Sequence, residues 1–139
     1  MATRKDKKMW VHSPPKPAKP KVPDMIKIEV EKKCNELVEA VLKPKHIQPP
    51  RKDGQFNYLV DIYTKWYRNY FYFYAKYHCP DPSSIASHFE TGFARLEYAG
   101  GNKFNLSYMR HTDQWCEIYP AETLQECISA IKDEPHFIP

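Results

Sequence analysis

Apolar positions change their spacing twice along the chain, and this pattern predicts a helix, then several strands, then a second helix. Over residues 25–43, apolar side chains recur at steps of three and four, which is typical of a helix with one buried face. They are Val30, Cys34, Leu37, Val38, Val41 and Leu42. Pro44 is expected to end this helix, because proline lacks the amide hydrogen that a helix interior uses.

The aromatic block between Phe56 and Tyr77 has a period of two residues, which is typical of β-strands. In its first half, Val60 and Ile62 fall on one side and are expected to face the core. Arg68-Asn69 is expected to form the tight turn of a hairpin, because asparagine tolerates the positive φ that such turns require.

The second half of this block sorts its side chains by chemistry. Phe71, Phe73 and Ala75 share one side of the predicted strand. The opposite side carries Tyr70, Tyr72, Tyr74 and Lys76. The alternation therefore predicts a phenylalanine side turned inward and a tyrosine side left accessible.

Shorter segments of the same kind follow and lead to a closing helix. The segments predicted as strands are residues 88–98, 104–109 and 115–119. Connections this short join antiparallel neighbours, which makes a meander. Thr123 and Glu126 then match a capping box at a helix start. We predict an α+β fold: an antiparallel β-meander of about five strands flanked by an N-terminal and a C-terminal helix. Trp66 and Trp115 are expected to bridge sheet and helix.

The N-terminal 23 residues differ in composition from the rest of the chain. Their five prolines alternate with Lys16, Lys19 and Lys21, which favours an extended or disordered segment. We expect residues 1–23 to form a disordered Lys/Pro-rich basic tail and residues 24–139 to form a single α+β domain.

The positive charge of the protein is concentrated in this tail. Residues 1–24 hold seven basic and two acidic residues, a net charge of +5, against 14 basic and 15 acidic residues in the remainder. The pI of about 8.8 therefore reflects the tail, and by itself it is weak evidence about what the domain binds. The length of 139 residues and the 42% apolar content suit one globular domain, and no apolar run is long enough to span a membrane.

The cysteine pattern argues against a metal centre. Cys34, Cys79, Cys116 and Cys127 form no CxxC pair and match no zinc-ligand spacing. We expect free thiols, no metal ion and no cofactor. The basic N-terminus is followed by no apolar segment typical of a secretory signal, and we therefore expect a cytoplasmic protein.

Several segments in the second half of the chain carry a resemblance to a known family. They are Phe93-Ala94-Arg95-Leu96-Glu97-Tyr98, Phe104 through Tyr108-Met109-Arg110-His111, Trp115, and Leu124 to Cys127 before Asp133-Glu134-Pro135. Over residues 27–139 the chain resembles a family of small bacterial domains with no assigned function. The resemblance implies a compact cytoplasmic bacterial domain and implies no catalytic residue.

One surface of the predicted sheet suggests a binding function. Tyrosine rings can stack on nucleobases, and neighbouring cations can neutralise phosphates, as in sheet-based binders of single strands. The predicted binding residues are Tyr70, Tyr72, Tyr74, Lys76, Lys65 and Arg95, with Tyr63 beside them, together with Lys16, Lys19 and Lys21 of the tail. We expect a non-enzymatic binding or accessory domain whose partner is single-stranded nucleic acid or another anionic partner, such as an acidic protein surface.

Two alternative functions remain at this point. A protein-interaction module or homodimer would cover the tyrosine side or a sheet edge and bind no nucleic acid. A small hydrolase-type enzyme would use His111 as a general base beside Asp113, with Arg110 nearby. No nucleophile motif or glycine-rich phosphate loop accompanies this pair, so an exposed turn is the simpler interpretation.

Overall fold

Five antiparallel strands follow one another in a sheet whose spatial order equals the chain order. In the computed structural model, residues 20–49 and 56–139 are described. The strands are β1 (Tyr58–Tyr67), β2 (Tyr70–His78), β3 (His88–Gly100), β4 (Lys103–Met109) and β5 (Trp115–Thr123). The predicted α+β fold with its five-stranded meander is confirmed.

The N-terminal helix contains a widened turn that carries it past Pro44. It consists of α1 (Asp24–Leu37), a π-helical turn (Val38–Leu42) and α2 (Lys43–His46). The prediction that Pro44 ends the helix is wrong. In a regular helix the proline ring would collide with the carbonyl four residues earlier. Here the amide of Lys43 donates to the carbonyl of Val38, five residues back, and the wider turn accommodates the ring.

The C-terminal helix, α3 (Leu124–Asp133), begins as the sequence predicts. The Thr123 hydroxyl accepts a hydrogen bond from the amide of Glu126 (3.2 Å), and the Glu126 carboxylate accepts one from the amide of Thr123 (2.9 Å). Both bonds satisfy amides that have no partner inside the helix. A short 3₁₀ turn, Pro135–Phe137, follows α3 and buries Phe137 in the core.

The helices pack on one face of the sheet, and the core lies between the two layers. Phe71 and Phe73 of β2 are fully buried in it, as the alternation predicts. Val30 and Cys34 of α1 and Ile131 of α3 meet these rings from the helical side. The core also includes parts that the sequence pattern did not indicate, among them Val22, which lies before the first helix and is 2% exposed.

A β-bulge changes which residues of β1 face the core. The pairing of β1 with β2 shifts between Leu59 and Asp61, so Val60 is an extra residue in the strand. As a result Leu59 and Ile62 are buried and Val60 is half-buried. The expectation that Val60 faces the core with Ile62 is therefore wrong, because a bulge resets the two-residue alternation.

Two further details of the sheet differ from expectation. The positive φ of the β1–β2 turn belongs to Arg68 (φ 55°), not to Asn69. The side chain of Asn69 instead donates a hydrogen bond to the carbonyl of Pro20 (2.7 Å) and ties the incoming chain to the turn. Trp66 does bridge sheet and helix, since its ring nitrogen donates to the carbonyl of Lys27 (3.4 Å). The same expectation for Trp115 is wrong, because its ring lies against Tyr72 and Gly92 on the opposite face of the sheet.

Candidate functional site

The sheet face opposite the helices carries an aromatic surface, which we call the Tyr face. It combines side chains from four of the five strands. Its members are Tyr63, Lys65, Tyr67, Tyr70, Tyr72, Tyr74, Lys76, Gly92, Arg95 and Trp115. The tyrosines of β2 are half-buried, whereas Phe71, Phe73 and Ala75 between them are fully buried. The strand therefore sorts its side chains as the sequence predicts.

Tyr72 is the centre of the Tyr face. Its register partners are Lys65 on β1 and Arg95 on β3, so a cation flanks the ring on each side. Tyr72 also stacks on Tyr74, with ring centroids 5.7 Å apart and planes 28° apart, and contacts Tyr70 at 6.0 Å. A central ring between two cations is the arrangement that stacking on a base and pairing with its flanking phosphates require.

Trp115 extends the surface from β5 to β3, because Gly92 leaves room for its ring. A Cβ atom built on Gly92 would lie 3.0 Å from the Trp115 ring, which is tighter than most real Cβ contacts. The Trp115 ring also approaches Tyr72, with centroids 5.8 Å apart. A glycine in mid-strand often marks such a close approach. Neither Trp115 nor Gly92 was predicted to be a site residue, although a glycine inside a strand is a sequence signal for such a contact.

Arg95 lies between two aromatic rings. Its guanidinium carbon is 4.5 Å from the centroid of Tyr70 and 4.8 Å from that of Trp115. The Nε atom is shielded from solvent and has no hydrogen-bond partner among the residues that the structure describes. The rings therefore fix the position of this guanidinium through cation–π contacts, each worth about 0.5–2 kcal/mol.

The charge on the Tyr face is mixed. Glu90 and Glu97 of β3 lie in register with Lys76 and Tyr70, and Glu117 of β5 lies in register with Ser107, which itself pairs with Arg95. Lys76 has acidic register partners on both sides, because Asp61 of β1 also pairs with it. Among the three predicted cations of the face, Lys65 and Arg95 are therefore better placed to meet an anion than Lys76.

A hydrogen bond and burial raise the pKa values of two tyrosines. The hydroxyl of Tyr63 donates to the carboxylate of Glu90, and its ring stacks on Tyr74 with centroids 5.3 Å apart. Desolvation, followed by this hydrogen bond and the charge of Glu90, raises the pKa of Tyr63 to about 12. Desolvation also raises the pKa of Tyr74. Both hydroxyls are thus neutral near pH 7, and the rings add no negative charge to the face.

A shallow depression on this face has the dimensions of a small ligand site. It measures about 330 Å³ and is lined by Lys65, Tyr67, Tyr72 and Tyr74. A larger depression of about 450 Å³ lies between β5 and α3, but half of its lining residues are acidic, namely Glu122, Glu126, Asp133 and Glu134. Repulsion makes that second depression unsuitable for a polyanion, although it is the larger of the two.

The remaining predicted site residues are not on the Tyr face or are not described. Lys16 and Lys19 lie outside the described residues, and Lys21 is exposed. Arg110, His111 and Asp113 are exposed in the β4–β5 turn, which is closed by backbone hydrogen bonds between Arg110 and Gln114 and between Asp113 and Arg110. The turn provides no enclosed position for acid–base chemistry by His111 and Asp113.

The structure adds two observations on metals and thiols. Within residues 20–49 and 56–139, no group of three or more histidine, cysteine or acidic side chains is arranged to hold a metal ion. Cys34 and Cys127 are buried between the helices and the sheet, and burial raises the pKa of both thiols, that of Cys127 to about 12. No helix in the described part of the chain is long and apolar enough to cross a bilayer.

Comparison with known families agrees with this domain. A family model described as a domain of unknown function, DUF3024, matches residues 20–139. The chain belongs to the DUF3024 family. The match confirms the resemblance to an uncharacterised domain family and begins at residue 20 rather than 27, so that it includes Val22 of the core. No curated protein and no solved structure matches this DUF3024 domain.

Proposed function

We propose that this DUF3024 domain is a non-enzymatic binding domain that holds single-stranded nucleic acid on its Tyr face. The observation that carries the proposal is the row Lys65–Tyr72–Arg95, which places one half-buried ring between two cations on a sheet face that the described helices leave open. A base stacked on Tyr72 would have its neighbouring phosphates within reach of both cations. Stacking of this kind contributes about 1–3 kcal/mol per base and tolerates any sequence.

The basic tail supports the same ligand. The first 24 residues carry a net charge of +5, and the described chain enters the domain at Pro20, whose carbonyl is bound by Asn69 in the β1–β2 turn. That turn also joins Tyr67 to Tyr70, so the tail begins next to the Tyr face. Lys16 and Lys19 are therefore proposed to add salt-sensitive affinity for the phosphate backbone, as is Lys21.

The interaction-module alternative predicts that another chain covers the tyrosine side or a sheet edge, and the structure bears on the second of these. Both edges carry features that oppose strand addition. On β1, the outward amide of Ile62 is occupied by the carboxylate of Asp61 (2.9 Å) beside the bulge. On β5, Pro120 lacks an amide hydrogen and Ala121 has a positive φ of 51°. These features favour an interaction through the open face over one through an edge.

A titration of labelled single-stranded RNA and DNA, followed by fluorescence anisotropy at two salt concentrations, tests the proposal. We expect binding at low salt that weakens as salt rises and that exceeds binding to a duplex of the same sequence. Tyr72→Ala should weaken binding about tenfold. Lys65→Gln should lower the slope of log K against log salt by about 0.7. Lys76→Gln, whose lysine lies between Asp61 and Glu90, is the matched control and should change both quantities less.

The contribution of the tail is tested by removing residues 1–19, which leaves the buried Val22 in place. This truncation should weaken binding and reduce its salt dependence. Absence of binding at low salt, or affinity that does not change on truncation, would reject the proposal.

A further inference from the structure

Gly92 and Trp115 are in close contact on the Tyr face, on the side of the sheet away from the hydrophobic core. Gly92 is the only glycine inside a strand interior of the described chain, away from turns, and it is buried because the Trp115 ring covers it. The ring lies 3.0 and 3.2 Å from where a Cβ atom would stand. A side chain at position 92 would therefore force the Trp115 ring to shift. The absence of a side chain is therefore what allows Trp115 to lie where it does.

The Trp115 ring also contacts the guanidinium group of Arg95. The guanidinium is stacked against Trp115 and Tyr70 at 4.8 and 4.5 Å, and its Nε–H has no acceptor in the described structure. An unpaired donor that is shielded from water is unfavourable, and the two ring contacts offset that cost. Arg95 as a whole is half-buried. Phosphate is the natural acceptor for the remaining N–H groups of its planar guanidinium, which can donate parallel hydrogen bonds to it.

We infer that Gly92 and Trp115 are positioning residues that hold Arg95 between two rings as a fixed phosphate-binding group. The inference rests on the proposed function and assigns a role to Arg95 that depends on its shape as well as its charge. Trp115 belongs to the binding surface in two ways: it fixes Arg95 and it offers a second stacking ring beside Tyr72, with centroids 5.8 Å apart. A lysine in place of Arg95 would keep the charge but lose the stacked, planar donor.

Three substitutions separate positioning from charge. Arg95→Lys should weaken binding of a single-stranded oligonucleotide about fivefold and leave the salt slope unchanged, because the charge remains. Arg95→Gln should weaken binding further and lower the slope by about 0.7. Gly92→Ala removes no charge, so it should leave the slope unchanged and still weaken binding, because the added Cβ shifts Trp115 against Arg95. Ala99→Val enlarges an exposed residue on the same strand and is the matched control.

Two probes distinguish the source of the phosphate. The first is the oligonucleotide, and the second is inorganic polyphosphate of the same total charge. We expect Arg95→Lys to weaken the binding of both, whereas Trp115→Ala should weaken oligonucleotide binding by a larger factor, because polyphosphate has no base to stack. Equal binding of the two probes, with no selective effect of Trp115→Ala, would reject base stacking while retaining the role of Arg95.

The same assays distinguish failure of the proposed function from failure of this inference alone. If the wild-type protein binds neither probe at low salt, the proposed function and this inference both fail. If the wild type binds but Gly92→Ala and Arg95→Lys behave as wild type, the inference alone is overturned. Because Gly92→Ala could perturb folding, thermal unfolding is measured beside binding. Arg95→Lys, which adds no atoms near Trp115, keeps the inference testable if the alanine variant unfolds.

Discussion

Replacing Phe73 with alanine should destabilise the protein far more than replacing its neighbour Tyr72. Phe73 is fully buried and makes edge-to-face contacts with Phe71 and Phe93, with centroids 5.7 and 6.0 Å apart. A buried aromatic side chain removes about 150–250 Å² from water, which at about 25 cal/mol per Å² is worth about 4–6 kcal/mol. Truncation to alanine leaves the Cβ atom buried and costs about 3–5 kcal/mol. Tyr72 is half-buried and lies on the face that the described helices leave open, so its truncation should cost about 1–2 kcal/mol.

Urea unfolding of the two variants measures this difference. Both variants should unfold with the same dependence on urea as the wild type, because that slope reflects the surface exposed on unfolding. The midpoint for Phe73→Ala should fall well below that for Tyr72→Ala. Equal losses, or a greater loss for Tyr72→Ala, would show that the tyrosine side of β2 is covered in solution and would refute the assignment of the two faces.

Three further outcomes follow from individual contacts. Glu90→Gln should lower the pKa of Tyr63 from about 12 toward its usual value of about 10 without reaching it, since burial remains the largest cause, and a tyrosinate absorbance titration measures this change. The raised pKa stabilises the fold below pH 10, and that contribution is lost between pH 10 and 12. Thr123→Ala should lower the free energy of unfolding by about 1 kcal/mol, whereas Thr123→Ser should retain most of it in the same denaturation assay. Asp61→Ala frees the amide of Ile62 on the edge strand β1, so sedimentation should show more self-association than in the wild type; an unchanged sedimentation profile would contradict a protective role for this hydrogen bond.

The sheet could be predicted from the sequence because its signals are local. Phe71 to Ala75 alternate strictly, and the connections between strands are too short for anything but antiparallel neighbours. The capping box at Thr123 is local as well. The bulge at Val60 was not predicted, because one extra residue changes which side chains face the core and leaves no recognisable pattern in the sequence.

From the sequence, the candidate site could be predicted only where its residues share a strand or a hairpin. The pairing of Tyr72 with Lys65 follows from the position of the β1–β2 turn, and the sequence indicated that much. The place of Trp115 does not follow from its own neighbours, because it depends on how far its ring extends toward β3 and on the missing side chain of Gly92. Likewise, the rule that a proline ends a helix fails at Pro44, because the π-helical turn before it makes room for the proline ring.

Hydroxyl-radical footprinting of the full chain, with and without a single-stranded oligonucleotide, shows which surface the strand covers. If the strand binds the Tyr face, Tyr67, Tyr72, Tyr74 and Trp115 are modified in the free protein and become protected when the oligonucleotide is added, while the exposed Phe89 on the other side of the sheet stays equally reactive. Protection confined to other surfaces, or tyrosines on β2 that are already unreactive in the free protein, would contradict binding on the Tyr face.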